Sequence, residues 1–209
     1  MKKRWLAALV SSICLILTVS SYLYLDIPIT KYCLTLNPAI RETAEVITTF
    51  GIATWYFVAS LLFYLFYRFV YKKNLYARQS LFVFLSLSFT GIFNTLMKWI
   101  AGRHRPVDLI NPGYYGFDYF GNIYELTSFP SGHTQTAFTL ATALAILFPR
   151  WRIPLFVIAV AVGLSRVILV SHYLSDVIAG AGIGIIGALT IKYYFDRISS
   201  NKQGASTKL

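Results

Sequence analysis

Six apolar stretches separated by short polar segments set the pattern of the chain. They run over about Trp5–Leu25, Val46–Tyr71, Gln79–Ile100, Ser131–Phe148, Ile153–Ile168 and His172–Phe195. Each approaches the ~20 residues a helix needs to cross a ~30 Å hydrocarbon layer, where every backbone polar group must be satisfied internally. The pattern predicts an all-α membrane bundle of six transmembrane helices, with antiparallel neighbours joined by short inner loops. Residues 1–198 form the membrane domain in this reading, and 199–209 a polar, disordered cytoplasmic tail. Lys2, Lys3 and Arg4 resemble the start of a signal peptide, but the run they introduce is long and five more follow, which favours a retained first helix. Two outer connections are longer: 26–45, with Pro28 and Pro38 and room for a short interfacial helix, and 101–129, rich in Gly, Pro and aromatics.

Composition agrees: 56% of the 209 residues are hydrophobic and only 13% charged, and the mean hydropathy is +0.60. These values exclude a disordered chain and argue against a soluble domain. The net charge of +11 would suggest nucleic acid in a polar protein, so the placement of the charges decides its meaning. With both termini inside, the inner segments hold thirteen of the nineteen Lys and Arg but, among the acids, only Asp196. The charge is therefore a topology signal with cytoplasmic termini, and no nucleic-acid partner is expected. Two cysteines are too few for a disulfide framework.

Ionisable groups at the ends of membrane helices are costly and are functional candidates by default. In the six-helix arrangement they gather at the outer side, as Lys98, Arg103, His104 and Arg105; then Ser131, Gly132 and His133; then Ser165, Arg166, His172 and Asp176. Lys98, Arg105 and Arg166 converging without matching carboxylates need an anion, and a phosphoryl group suits them. Pro130 fits a helix start, which would leave the Ser131 and Gly132 amides as unpaired donors at a positive helix end, with Gly132 allowing close approach. His172 and Asp176 are four apart, so on a helix the carboxylate fixes one imidazole nitrogen and leaves the other to attack phosphorus. His104 is assigned a plain loop role, Asp108, Asp118 and Glu125 read as solvated loop charges, and no ligand spacing specifies a metal. The aromatic residues from Tyr114 to Phe129 are an interfacial belt, or else a lid or lipid-recognition surface.

Taken together, Lys98-x6-Arg105-Pro106, Pro130-Ser131-Gly132-His133 and Ser165-Arg166-x5-His172-x3-Asp176 resemble the three-part signature of the type 2 phosphatidic acid phosphatase superfamily. The resemblance covers about Asp26 to Tyr194, and six spans point to its membrane lipid phosphatases rather than its soluble phosphatases or haloperoxidases. It implies His172 as the nucleophile of a phosphohistidine intermediate, with Asp176 orienting it and His133 as general acid. It also implies phosphate binding by Lys98, Arg105, Ser131, Gly132 and Arg166, and no metal or other cofactor. The implied activity is hydrolysis of a lipid phosphate monoester or pyrophosphate, such as phosphatidic acid, phosphatidylglycerophosphate, undecaprenyl pyrophosphate or lipid A, on the outer face of a bacterial inner membrane. Phosphotransfer to an acceptor lipid is the alternative. An amphipathic substrate further predicts a lateral opening between helices with aromatic residues at its rim; protein partners are not indicated.

Overall fold

The computed structural model describes residues 2–110, 113–121 and 123–206, without the side chains of 2–8, 10 and 199–206. Among these residues the secondary structure is helical, with two isolated bridges joining Arg103 to Phe117 and to Thr127. The α-helices are α1 (Lys2–Tyr24), α2 (Asp26–Leu34), α3 (Pro38–Thr48), α4 (Ala53–Leu65), α5 (Asn74–Ala101), α6 (Pro106–Ile110), α7 (Gly132–Leu147), α8 (Arg152–Ile168) and α9 (Leu174–Ser206). A π-helical turn over Phe66–Val70 extends α4.

Among the described residues four rods are long and apolar enough to cross a membrane: Pro38–Val70, Asn74–Ala101, Pro149–Ile168 and Leu174–Ile198. A fifth results if Ser11–Tyr24 and Asp26–Leu34, bent by 62°, count as one span. The stretch expected at 131–148 is α7, whose 16 residues cover about 24 Å at the helical rise. The 26–45 connection, expected to have room for one short interfacial helix, holds two helices, α2 and the first part of α3, which continues into the Pro38–Val70 rod. Asn37 caps α3, its side chain accepting the Ala39 N–H at 2.9 Å, and Pro38 opens the helix. At the C-terminus α9 continues to Ser206, so the polar tail expected to be disordered from Ser199 is helical that far. Residues 207–209 lie outside the described ones.

Phe82, Val83, Leu87 and Ala143 are buried together between α5 and the second half of α7. Toward its start α7 is enclosed, and two glycines of α9 make this possible. A Cβ on Gly180 would lie 2.6 Å from the Ser131 carbonyl oxygen, and one on Gly184 would lie 2.7 Å from that of Gln135. The backbones of α7 and α9 therefore approach more closely than any side chain permits. Behind this contact, buried Gln135 donates from Nε2 to Thr90 Oγ1 at 2.6 Å, tying α7 to α5. With this packing the start of α7 sits against the start of α9.

Candidate active site

Helix α5 ends where its last carbonyls need partners. Gly102 adopts a left-handed φ of +54° and donates its N–H to the Lys98 carbonyl at 3.0 Å. The chain then turns inward, so that Arg103 is fully buried and Arg105 nearly so. Lys98, in the last turn of α5, donates from Nζ to the Thr127 carbonyl at 2.5 Å. Arg105 donates from Nε to the Tyr124 carbonyl at 2.9 Å and from Nη1 to the Ser171 carbonyl at 3.2 Å. The Tyr124 ring lies 3.9 Å beneath its guanidinium.

The second segment begins α7. Ser131, fully buried, precedes the helix, and the first intrahelical bond runs from the Gln135 N–H to the Ser131 carbonyl at 3.0 Å. The Ser131 amide is not a free donor as expected, because it is bonded to the Asp176 carbonyl at 3.0 Å. That bond follows from the α7–α9 contact, which no local reading of the sequence contains. The Gly132, His133 and Thr134 amides precede the first intrahelical bond, at the positive helix end. A Cβ on Gly132 would meet only Asn94 Nδ2, at 3.7 Å, so protein packing does not demand glycine there and the space above it is open to a ligand.

The third segment joins α8 to α9. Val170 turns the chain through φ +54°, unusual for a β-branched residue, and the Ser171 and His172 amides both bond back to the Arg166 carbonyl, at 3.0 and 3.2 Å. Arg166 and His172 are thereby joined through the backbone. The Arg166 side chain donates from Nη1 to Thr48 Oγ1 at 2.8 Å, while its buried Nε has no partner among the described residues. His172 stands before α9 rather than on a helix, so its pairing with Asp176 is made across the helix start. Its Nδ1 lies 3.5 Å from Asp176 Oδ2, too long for a well-made hydrogen bond.

The Asp176 carboxylate is held from several sides. Oδ2 accepts from Ser128 Oγ at 2.6 Å and from the Tyr173 N–H at 2.9 Å, and Oδ1 pairs with Arg103. Lys98, Arg105 and Asp176 all act electrostatically on His172, and Arg166, Lys98 and Arg105 act on His133. The candidate residues of all three segments therefore share one field. Burial, with the Lys98 and Arg105 charges adding to it and Asp176 opposing, pushes the His172 imidazole down to about 3, so it is neutral near pH 7.

Two expectations need correction. His104 is not an unpartnered loop residue: Nδ1 lies 3.1 Å from Asp108 Oδ2, and Nε2 lies 2.9 Å from Asp118 Oδ2. Nor is Asp108 solvated, being buried and also accepting the Arg105 N–H at 3.2 Å. The i,i+4 spacing of His104 and Asp108 was a readable signal of this pair. The aromatic loop divides its work. Tyr114, Tyr119, Phe120 and Tyr124 are exposed, whereas Phe117 and Tyr115 face Arg103.

Three cations, a buried histidine beside an anchored carboxylate and a second histidine at a helix start are thus gathered in a bundle of apolar helices. Residues 79–199 match the PAP2 superfamily, and the chain belongs to it. Over 156 residues it is 35% identical to the lipid A 1-phosphatase of Rhizobium etli, covering 70% of this chain and 67% of that protein. The lipid A 1-phosphatase of Rhizobium johnstonii is 34% identical over 168 residues, covering 76% and 69%. Among solved structures, the transmembrane PAP2-type phosphatidylglycerolphosphate phosphatase of Bacillus subtilis superposes with a TM-score of 0.65 at 25% identity, covering 92% of this chain and 96% of that one. The protein is a multi-pass membrane enzyme, a lipid phosphate phosphatase.

Proposed function

We propose that the protein hydrolyses a lipid phosphate monoester or pyrophosphate through a phosphohistidine at His172. The observation that carries this reading is the orientation of His172. Its Nδ1 faces Asp176 Oδ2 at 3.5 Å, which favours a proton on Nδ1 and leaves the Nε2 lone pair for phosphorus. In the first step the Nε2–P bond forms, the P–O bond to the lipid breaks, and His133 gives its proton to the departing oxygen. In the second, His133 removes a proton from water, the water oxygen bonds to phosphorus, and the P–N bond breaks to release inorganic phosphate. Lys98, Arg105 and Arg166, with the Ser131 hydroxyl and the amides at the start of α7, hold the nonbridging oxygens and stabilise their charge.

The lipid tail has a matching surface. A groove of about 770 Å³ opens between α4 and α5, lined by Phe57, Leu87, Gly91, Ile92 and Trp99, and reaches Gln135 and Thr136 just beyond His133. This supports a substrate whose head enters the polar site while its chain stays among apolar side chains, with Trp99 at the rim. Similarity to the two lipid A 1-phosphatases favours a lipid A type phosphate over the phosphatidylglycerophosphate acted on by the Bacillus relative. The asymmetry of basic residues supports six spans, α7 included, with cytoplasmic termini and a site on the outer face of a bacterial inner membrane.

The test is phosphate release by purified protein in detergent with EDTA across lipid A, phosphatidylglycerophosphate, phosphatidic acid and undecaprenyl pyrophosphate, beside His172→Ala. Release by the wild type alone, with an acid-labile phosphoryl label trapped on the enzyme, is expected. Equal release by folded His172→Ala overturns the mechanism. Labelling of a second lipid without free phosphate would instead identify a transferase.

A further inference from the structure

Arg103 is a fully buried guanidinium, and its surroundings are built in unusual detail. Four rings enclose it, Tyr173 at 4.5 Å, Tyr22 at 5.0 Å, Phe117 at 5.3 Å and Tyr115 at 5.6 Å. Nη1 donates to Asp176 Oδ1 and to Ser175 Oγ, the latter at 2.7 Å. Nη2 donates to Asp26 Oδ2 at 2.7 Å. Asp26 is equally buried and stands at the bend between α1 and α2. Its Oδ1 accepts the Ser175 N–H at 2.9 Å and Ser21 Oγ at 3.0 Å, and its Oδ2 also takes the Ser175 hydroxyl. One carboxylate from the first helix pair thus grips both Arg103 and the first turn of α9, which carries Asp176.

Charge explains why two carboxylates share one guanidinium. If Asp176 were the sole partner of Arg103, its negative charge would be offset where it faces His172, and it would do little for the positive charge the imidazole gains on attack. Buried charges that are not paired are also heavily disfavoured. Asp26 takes half of the guanidinium, so Asp26, Arg103 and Asp176 together keep one net negative charge beside His172. We propose that Asp26 is a positioning residue for phosphoryl transfer, acting through Arg103 and the start of α9 to set the charge and orientation of the Asp176 carboxylate.

This inference rests on the phosphohistidine reading above, and one experiment separates the two. Wild type, Asp26→Asn, Arg103→Gln, the double variant, Ser21→Ala and His172→Ala are purified in detergent. Turnover of dioctanoyl phosphatidic acid and inhibition by inorganic phosphate are measured on each. Asp26→Asn is expected to lower kcat about 10-fold or more, as loss of an outer-shell partner does, while the phosphate Ki stays within about twofold, because Lys98, Arg105 and Arg166 are untouched. The double variant is expected to be no slower than Arg103→Gln, since Asp26 acts through that arginine. If Asp26→Asn does not fold, Ser21→Ala carries the test by removing one neutral hydrogen bond and no charge, with about a threefold loss of kcat and an unchanged Ki. Folded Asp26→Asn with wild-type kcat, or with kcat and Ki lost in parallel, overturns the inference while an inactive His172→Ala leaves the phosphohistidine intact. Turnover by His172→Ala overturns both.

Discussion

Gly51 packs so closely on His133 that a Cβ added to it would lie 2.7 Å from the His133 Cβ and 2.9 Å from its Cδ2. The glycine sits in the short 3₁₀ turn between α3 and α4, one turn beyond Thr48, which accepts from Arg166. The junction of α3 and α4 therefore shapes the place of two candidate site residues at once.

Gly51→Ala is expected to displace His133 and to lower kcat by about 10- to 100-fold, because small shifts of an acid–base group are costly in rate. A folded Gly51→Ala enzyme with full kcat would show that His133 tolerates movement or takes no part. The thermal midpoint of the variant, measured alongside, separates local displacement from loss of fold.

The neutral, buried state of His172 has a consequence for acid stability. Its folded value of about 3 lies below the ordinary ~6.5 of an unfolded chain, so between those limits the unfolded state binds more protons. Stability is complete above about pH 6.5 and declines as the pH falls toward 3, by at most about one proton's worth of slope from this residue. His172→Gln removes that contribution. The expected result is a smaller drop in thermal midpoint between pH 6.5 and 4.5 than the wild type shows; parallel drops would mean that His172 is already charged in the folded protein.

How much of this was legible follows from which contacts are local. The three motif segments were readable because each is short, and their residues do share one field. Asp176 was readable as the partner of His172, but not as the acceptor of Arg103, Ser128 and the Tyr173 amide, two of which come from the 101–129 connection. Asp26 was read only as the start of a loop, since its partner Ser175 lies 149 positions away and nothing in either neighbourhood names the other. Four of the six stretches expected from hydropathy coincide with rods long enough to cross a membrane, whereas α7 is shorter, and the bend at Asp26, with its buried contact to Ser175, has no local signal.

Arg105 and Arg166 are expected to differ when substituted. Arg105 braces the 101–129 and α8–α9 connections through the Tyr124, Thr127 and Ser171 carbonyls, while among the described residues Arg166 makes one side-chain bond, to Thr48. Arg105→Gln should lose both thermal stability and activity. Arg166→Gln should lower kcat/KM about 100-fold, as loss of a charge-assisted contact to phosphate does, with a midpoint within a few degrees of wild type. Retained kcat/KM in Arg166→Gln would remove that residue from the phosphate site.

Gly91 gives a test of the tail groove that leaves the polar site intact. It lines the groove, and a Cβ added there meets nothing within 4 Å, so a larger side chain enters the groove rather than the core. Replacing glycine inside a helix also gains about 1 kcal/mol of helix propensity, so Gly91→Leu is expected to fold at least as well as the wild type. If an acyl chain lies in the groove, Gly91→Leu should raise KM for a long-chain lipid phosphate about 10-fold, the effect of losing a buried apolar contact of one to two methylenes. KM for a short water-soluble phosphate should not change, because nothing near Lys98, Arg105 or Arg166 has moved. Equal KM values for the long-chain substrate in both proteins would mean that the chain leaves the site by another route.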